Sequence, residues 1–357
     1  MPDVDVDVVV IGAGQAGLSS AFVLRQRGFA PDAGFVVLDA NPAPGGAWQH
    51  RWASLRLGSV HRIHPLPGMP LDAADPRQPA SEVVGEYYGR YERAFDLRVR
   101  RPVSVTAVRP GDGDRLEVAT SAGTWTTRAV INATGTWTRP FWPSYPGRAS
   151  FRGRQLHTAG YRSADEFAGR HVVVVGGGAS AVQLLAEISE ITTTTWVTRR
   201  APVWAEGPFD VQAGRDAVAR VEREVRAGRR PGSVVSVTGL GLTPAVAAAR
   251  DRGALQRLPM FDRITPDGVA WDGGRLVRAD VILWCTGFRA ALDHLAPLHL
   301  RAPAGGIAMI GTRTARDPRV HLVGYGPSAS TIGATRAARA AVREIRALLD
   351  EAPAAAA

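Results

Sequence analysis

The segment Val4-Asp5-Val6-Asp7-Val8-Val9-Val10-Ile11, running straight into Gly12-Ala13-Gly14-Gln15-Ala16-Gly17, restricts the fold of this chain more than any other. Its last four strand residues are β-branched and apolar without a break, as in a strand covered on both faces of a parallel sheet. In the turn that follows, the first glycine permits a tight bend, the second lets backbone approach a pyrophosphate, and the third lets the next helix pack on the strand. The apolar spacing predicts a helix through about Arg27, its N-terminal N–H groups and positive dipole end facing the phosphates. A second strand, Phe35–Leu38, ends at Asp39. That lies at the spacing of about 20 residues where an acid meets a dinucleotide ribose and disfavours a 2′-phosphate.

The same grammar recurs once. His171–Val175 precedes Gly176-Gly177-Gly178-Ala179-Ser180, a helix is expected to about Ile188, and a strand from Thr193 to Thr198 runs into Arg199-Arg200. No carboxylate stands there. Guanidinium forks suit an adenosine 2′-phosphate, so this second turn points to NADPH over NADH. The plainer alternative is a solvated basic turn.

Between the two units, Arg101–Val108, Arg115–Val118 and Thr124–Thr126 read as a small antiparallel excursion. Ala129–Asn132 then re-enters the first sheet at Ala133-Thr134-Gly135. Beyond the second unit, helices are expected at Val211–Arg226 and Pro244–Arg252, and a hairpin at Asp262–Thr265 and Gly268–Trp271. A strand Val281–Trp284 leads to Cys285-Thr286-Gly287, a strand His321–Val323 follows, and a last helix runs from about Thr331 to Leu349. The expected fold is α/β, with two Rossmann-like dinucleotide-binding domains in a glutathione-reductase-like arrangement. Residues 1–150 and 285–357 form the first domain and 151–284 the inserted second.

Composition narrows the chemistry. All 43 basic residues are Arg, so a Walker A lysine, a Schiff-base lysine and a lysine general base are excluded. The single Cys285 excludes a Cys-x-x-Cys redox pair. A net charge of +10 raises nucleic acid as a partner, but the arginines are scattered and a dinucleotide is the better anion. No apolar run is long enough for a membrane span, and the acidic start is unlike a signal peptide, so a cytoplasmic protein is expected. No metal cluster or nucleophile triad stands out.

Pro44-Gly45-Gly46-Ala47-Trp48 follows Asp39, and Phe151-x-Gly153-x-x-x-His157-x-x-x-Tyr161 precedes the second unit. With the two glycine turns, these resemble the class B flavin-dependent monooxygenases, and the small bacterial CzcO-like members above all. His50–Leu57, Ala133–Trp137 and Met260–Arg263 fit that likeness, which spans essentially the whole chain. The resemblance implies an enzyme in which NADPH reduces FAD, and the flavin then activates O2 at C4a to oxygenate a small soft nucleophile such as N or S. A flavin reductase or oxidase, or a redox-sensing flavoprotein, is the alternative.

By the resemblance, Gly12, Gly14, Gln15, Gly17, Asp39, Gly46 and Trp48 would hold FAD, together with Val105, Ala133, Thr134, Gly135 and Thr331. Gly176, Gly178, Ala179, Ser180, Arg199, Arg200, Thr286 and Gly287 would hold NADPH. Arg51 and Arg56 are candidate cations near the flavin, and Trp52, Trp137 and Trp142 are candidate aromatic walls. His157 reads as a hydrogen-bonded structural residue. The loop Gly324–Ser328 lacks the Asp that many such flavoproteins carry there, and Gly58-Ser59 stands where larger relatives have an Asn. Partners are expected to be a substrate and O2 rather than nucleic acid, with a homodimer an open option.

Overall fold

The computed structural model describes residues 4–60, 63–204, 211–232 and 239–351. The acidic start at residues 1–3 and the tail 352–357 lie outside them. Strand β1 (Val4–Ile11) is the axis of the first sheet, with β2 (Phe35–Leu38) parallel on one side and the long β5 (Gly123–Asn132) parallel on the other. Two strands, β3 (Val105–Pro110) and β4 (Leu116–Thr120), form an antiparallel ribbon joined to this sheet through β4 and β5.

The second sheet is wholly parallel, in the order β6 (Arg154–His157), β13 (Val281–Trp284), β7 (Val172–Val175), β8 (Thr194–Thr198) and β9 (Arg257–Pro259). A separate antiparallel sheet is made by β10 (Arg263–Thr265), β11 (Gly268–Ala270) and β12 (Leu276–Arg278). The chain then returns to the first sheet, where β14 (Met309–Ile310) and β15 (Arg313–Thr314) lead to β16 (Val320–Leu322), parallel to β5.

Helix α1 (Gln15–Gln26) and the last helix, α6 (Thr331–Glu351), cover one face of the first sheet, burying Leu18, Leu24, Val342 and Ile345 against Val8 and Val10. Each such side chain contributes about 1.5–3 kcal/mol. Helix α2 (Ala80–Ala94) joins this core through Val84, Tyr87, Tyr88 and Tyr91. On the second sheet, α3 (Ala179–Ile188) and α5 (Pro244–Asp251) cover one face. The other face meets the β10–β12 sheet over Phe261, Val269 and Trp284.

Several expectations change. Thr124–Thr126 and Ala129–Asn132 are one continuous strand, because Thr127 turns its buried hydroxyl onto the Asp7 carbonyl rather than breaking the ladder. The expected hairpin at 262–271 gains a third strand, β12. Helix α2 and the short strands β14 and β15 were not anticipated, although Val84, Tyr87, Tyr88 and Tyr91 stand at helical spacing. Helix α4 (Val211–Arg226) falls within the segment expected to form the second domain, yet its Val221 and Val225 are buried with β14 and Tyr325 on the first sheet's core.

Candidate functional site

A cavity of about 680 Å³ opens where β1, β2 and β5 end, its floor made by Ile11, Leu38 and Ala133. This is the carboxyl edge at which open α/β sheets bind ligands. The three turn glycines divide the labour as expected. A Cβ on Gly12 would stand 2.7 Å from the Ala133 carbonyl oxygen, and one on Gly17 would strike the Gly12 carbonyl. A Cβ on Gly14 would meet only the Gly46 Cα at 4.0 Å, so space remains above that peptide for a ligand. Gly14 is also the N-cap of α1, whose first N–H groups face the cavity with no side-chain cap.

Gly12, Gly14, Gln15, Asp39, Gly46 and Trp48 all line this one cavity. So do Val105, Ala133, Thr134, Gly135 and Thr331. Gly17 lies behind the wall, packed on Gly12. Tyr88 of the unanticipated α2 donates to the Gln15 side-chain oxygen at 2.8 Å and reaches the same wall.

Asp39 is buried and already engaged. Arg101 Nε donates to its Oδ2 at 3.1 Å, while the Asn41 backbone N–H and side-chain amide donate to Oδ1 at 3.2 and 3.0 Å. The Arg101 fork also donates to both Glu92 oxygens at 2.7 and 2.8 Å. Burial opposes the Arg101 charge, but the Glu92 and Asp39 contacts outweigh it and raise its pKa. His50 completes the chain through a 2.7 Å bond to Asn41 Oδ1.

Farther along, His294 bonds Asn132 Oδ1 at 2.7 Å, and burial, aided by Arg139 and opposed by Asp293, lowers it to about 4. Asn41, Arg101, Glu92, Tyr88 and His294 are not among the expected site residues, because no local motif marks them as such, and His50 is named only within the His50–Leu57 stretch. At the opposite end, Gly324, Ser328 and Ser330 form the wall with the start of α6. Where the Asp is missing, Ser328 Oγ accepts from the Gly324 and Tyr325 N–H groups and closes the loop on itself.

The second glycine turn is built the same way on β7. A Cβ on Gly176 would collide with the Cys285 carbonyl, and Gly178, the N-cap of α3, faces open space. Ala179 and Ser180 begin that helix. Arg199 and Arg200 follow β8 on the surface, both exposed. Trp196 anchors the turn, its indole N–H donating to the Gly176 carbonyl at 2.7 Å.

Two backbone links join the sheets as an antiparallel ribbon. The Phe141 N–H donates to Gly287 at 2.9 Å, and the Arg289 N–H to Arg139 at 2.8 Å. Thr286 and Gly287 therefore sit at the junction, with the Thr286 hydroxyl donating to the Phe141 carbonyl. His157 accepts from the Ala159 N–H at Nδ1 and donates from Nε2 to the Gly287 carbonyl at 3.1 Å, so it ties β6 to this ribbon.

The tryptophans separate. Trp137 lines the first cavity, with the Arg51 guanidinium 4.5 Å over its ring and Phe288 stacked at 4.9 Å. Burial pushes Arg51 down to about 10. Trp52 is instead a core residue of the second sheet, edge-on to Tyr161, and Trp142 packs beside His157 under Arg148. Arg56 is exposed, is absent from the cavity wall, and pairs through its backbone with Pro79. Like Arg51, neither Trp52 nor Arg56 lines the cavity: Leu55 and Trp52 anchor this segment inward, and Arg56 is exposed to solvent.

Two sheets, each with a parallel core that opens on a glycine turn and joined by a paired link, have the architecture of a two-dinucleotide fold. Residues 9–225 match the family described as Pyridine nucleotide-disulphide oxidoreductase. The flavin-containing monooxygenase from Stenotrophomonas maltophilia is 40% identical, with a TM-score of 0.83 over 97% of this chain and 99% of that one. The uncharacterized oxidoreductase CzcO of Bacillus subtilis is 31% identical over 188 residues, 53% of each chain. A Baeyer-Villiger monooxygenase of Streptomyces coelicolor is 27% identical over 297 residues, 73% of this chain and 53% of that one. The chain belongs to the pyridine nucleotide-disulphide oxidoreductase family and, within it, to the flavin monooxygenases. It spans about half the length of the curated relatives it matches.

Proposed function

We propose that this chain is an NADPH-dependent, FAD-containing monooxygenase acting on a small soft nucleophile. The observation that carries the reading is the single cavity running from Asp39 and Val105, past the open face of Gly14, to the start of α6 at Thr331. Its donor set fits FAD: a carboxylate for the adenosine ribose, bare helix N–H groups for the pyrophosphate, and a second helix N-terminus at the far end for the electron-rich edge of the flavin. When bound, FAD supplies hydride acceptance and oxygen activation.

The protein's part is placement. Gly12, Gly14, Gln15, Gly17 and Gly46 shape the phosphate bed, and Asp39, Val105, Ala133, Thr134 and Gly135 hold the adenosine half. Trp48 and Thr331 bound the flavin half. Gly176, Gly178, Ala179, Ser180, Arg199 and Arg200 bind NADPH at the second turn, and Thr286 and Gly287 position it from the ribbon. Arg51, held over Trp137, remains the candidate cation at the junction. Residues 1–150 and 285–357 would then act as the FAD unit and 151–284 as the NADPH unit, with α4 lent back to the first.

The test is stoichiometry. Purified protein reconstituted with FAD is given NADPH, O2 and a thioether or amine. Oxygenated product matching the NADPH consumed supports the reading, whereas hydrogen peroxide matching it, with no product, assigns an oxidase instead. Failure of NADPH to bleach the flavin without air excludes both.

A further inference from the structure

The Asp39 carboxylate is held by residues far apart in sequence, and the count of its hydrogen bonds restricts what it can do for a ligand. An ionised carboxylate accepts about four hydrogen bonds. Three are occupied: Oδ2 by Arg101 Nε, and Oδ1 by the Asn41 backbone N–H and the Asn41 amide. The Asn41 amide is itself engaged at both ends. With its NH2 turned to Asp39, its Oδ1 faces His50 and takes the Nε2–H at 2.7 Å, which fixes the neutral His50 tautomer.

Backbone pairing fixes Arg101 itself. The Arg100 N–H donates to Val37 at 2.8 Å, the Asp39 N–H to Arg100 at 3.0 Å, and the Val103 N–H to Asp39 at 2.8 Å, so residues 100–103 extend beside the end of β2. Glu92 of α2 then grips the other end of the guanidinium. The side chains of Arg101, Asp39 and Glu92 are only 10%, 5% and 11% exposed, so water competes little for these bonds.

We infer that Arg101 and Asn41 are positioning residues that leave Asp39 a single open acceptor direction, so that the first site takes only one of the two adenosine ribose hydroxyls of its nucleotide through this carboxylate. The inference rests on the reading of this cavity as the FAD site. It assigns to Arg101 a specificity role that charge balance alone would not require, since an ammonium would supply the same single positive charge beside Glu92 and Asp39 but could not hold three oxygens in a planar fork.

The experiment titrates the full-length apoprotein with FAD and with FAD analogues lacking the adenosine 2′- or 3′-hydroxyl, following flavin fluorescence. For the unaltered protein, deleting one hydroxyl should weaken binding about tenfold and deleting the other about twofold or less. Arg101→Lys should bring the two losses within about a factor of two of each other. Asn41→Ala, at a half-buried loop position, should narrow the same gap by freeing Oδ1, and serves if Arg101→Lys does not fold.

Equal losses in the unaltered protein would overturn the inference. So would a variant that binds FAD and both analogues more weakly by one common factor, which is the mark of a merely structural role. If the unaltered apoprotein takes up no FAD at all, the cofactor reading itself fails, and that result is visible before any variant is made.

Discussion

The two glycine turns share a local construction and differ in what surrounds them. The first opens into a cavity at whose wall Asp39 is buried and bonded to Arg101, which in turn bonds Glu92 behind it. The second opens beside Arg199 and Arg200, both exposed on the surface. Buried charge held by several hydrogen bonds fixes a ligand in place but is costly to disturb, whereas exposed charge recognises a ligand that must come and go at little cost to the fold. The contrast suits a resident cofactor at one turn and a diffusing one at the other.

The sharpest break of that contrast is Arg101→Ala. It strands two buried carboxylates and should cost about 3–5 kcal/mol in chemical denaturation, while Arg199→Ala should stay within about 0.5 kcal/mol. Comparable losses would erase the distinction between the turns. Next, Gly17→Ala drives a Cβ into the Gly12 carbonyl and should cost about 3 kcal/mol with loss of bound flavin. Gly176→Ala, colliding with Cys285, should leave flavin bound while abolishing its reduction by NADPH.

Acid probes the first cavity in a third way. Burial lowers His294 to about 4 from an ordinary value of 6.5, so the unfolded chain binds the extra proton first and stability falls as pH drops through this window. Its share should be about 2 kcal/mol between pH 7 and pH 5. His294→Gln should reduce the slope of the denaturation midpoint over that range, leaving the share of the buried His321, which burial lowers likewise, and an unchanged slope would remove His294 as a source of acid sensitivity. The smallest effect on the fold is expected at the second turn. Arg199→Ala combined with Arg200→Ala should raise KM for NADPH about tenfold or more while leaving NADH and the melting temperature nearly unchanged. An equal effect on both nucleotides would withdraw the 2′-phosphate assignment.

Legibility in the sequence followed the range of the forces involved. The runs Val8–Ile11 and Val172–Val175, the glycines after them, and Asp39 or Arg199-Arg200 at the next strand ends are local signals, and they located both turns. Helix α2 went unread although its tyrosines repeat at helical spacing, and with it Glu92 and Tyr88 were missed. Trp52 is a candidate aromatic wall and Arg56 a candidate cation by residue type, which says nothing of the face each takes. The chain turns between them, however, and packs Trp52 against Tyr161 on the other sheet.

By itself, the sequence determined that there are two glycine turns, where they stand, and what charge follows each unit's second strand, since strand period, glycine placement and terminal residue type act over a few neighbours. Only the tertiary structure decided that Arg101 would meet Asp39 from 62 residues away, that α4 would return to the first sheet, and that His50 would donate to Asn41. Those outcomes depend on how buried surfaces and hydrogen-bond donors are satisfied across the whole molecule, and no short window of sequence carries that information.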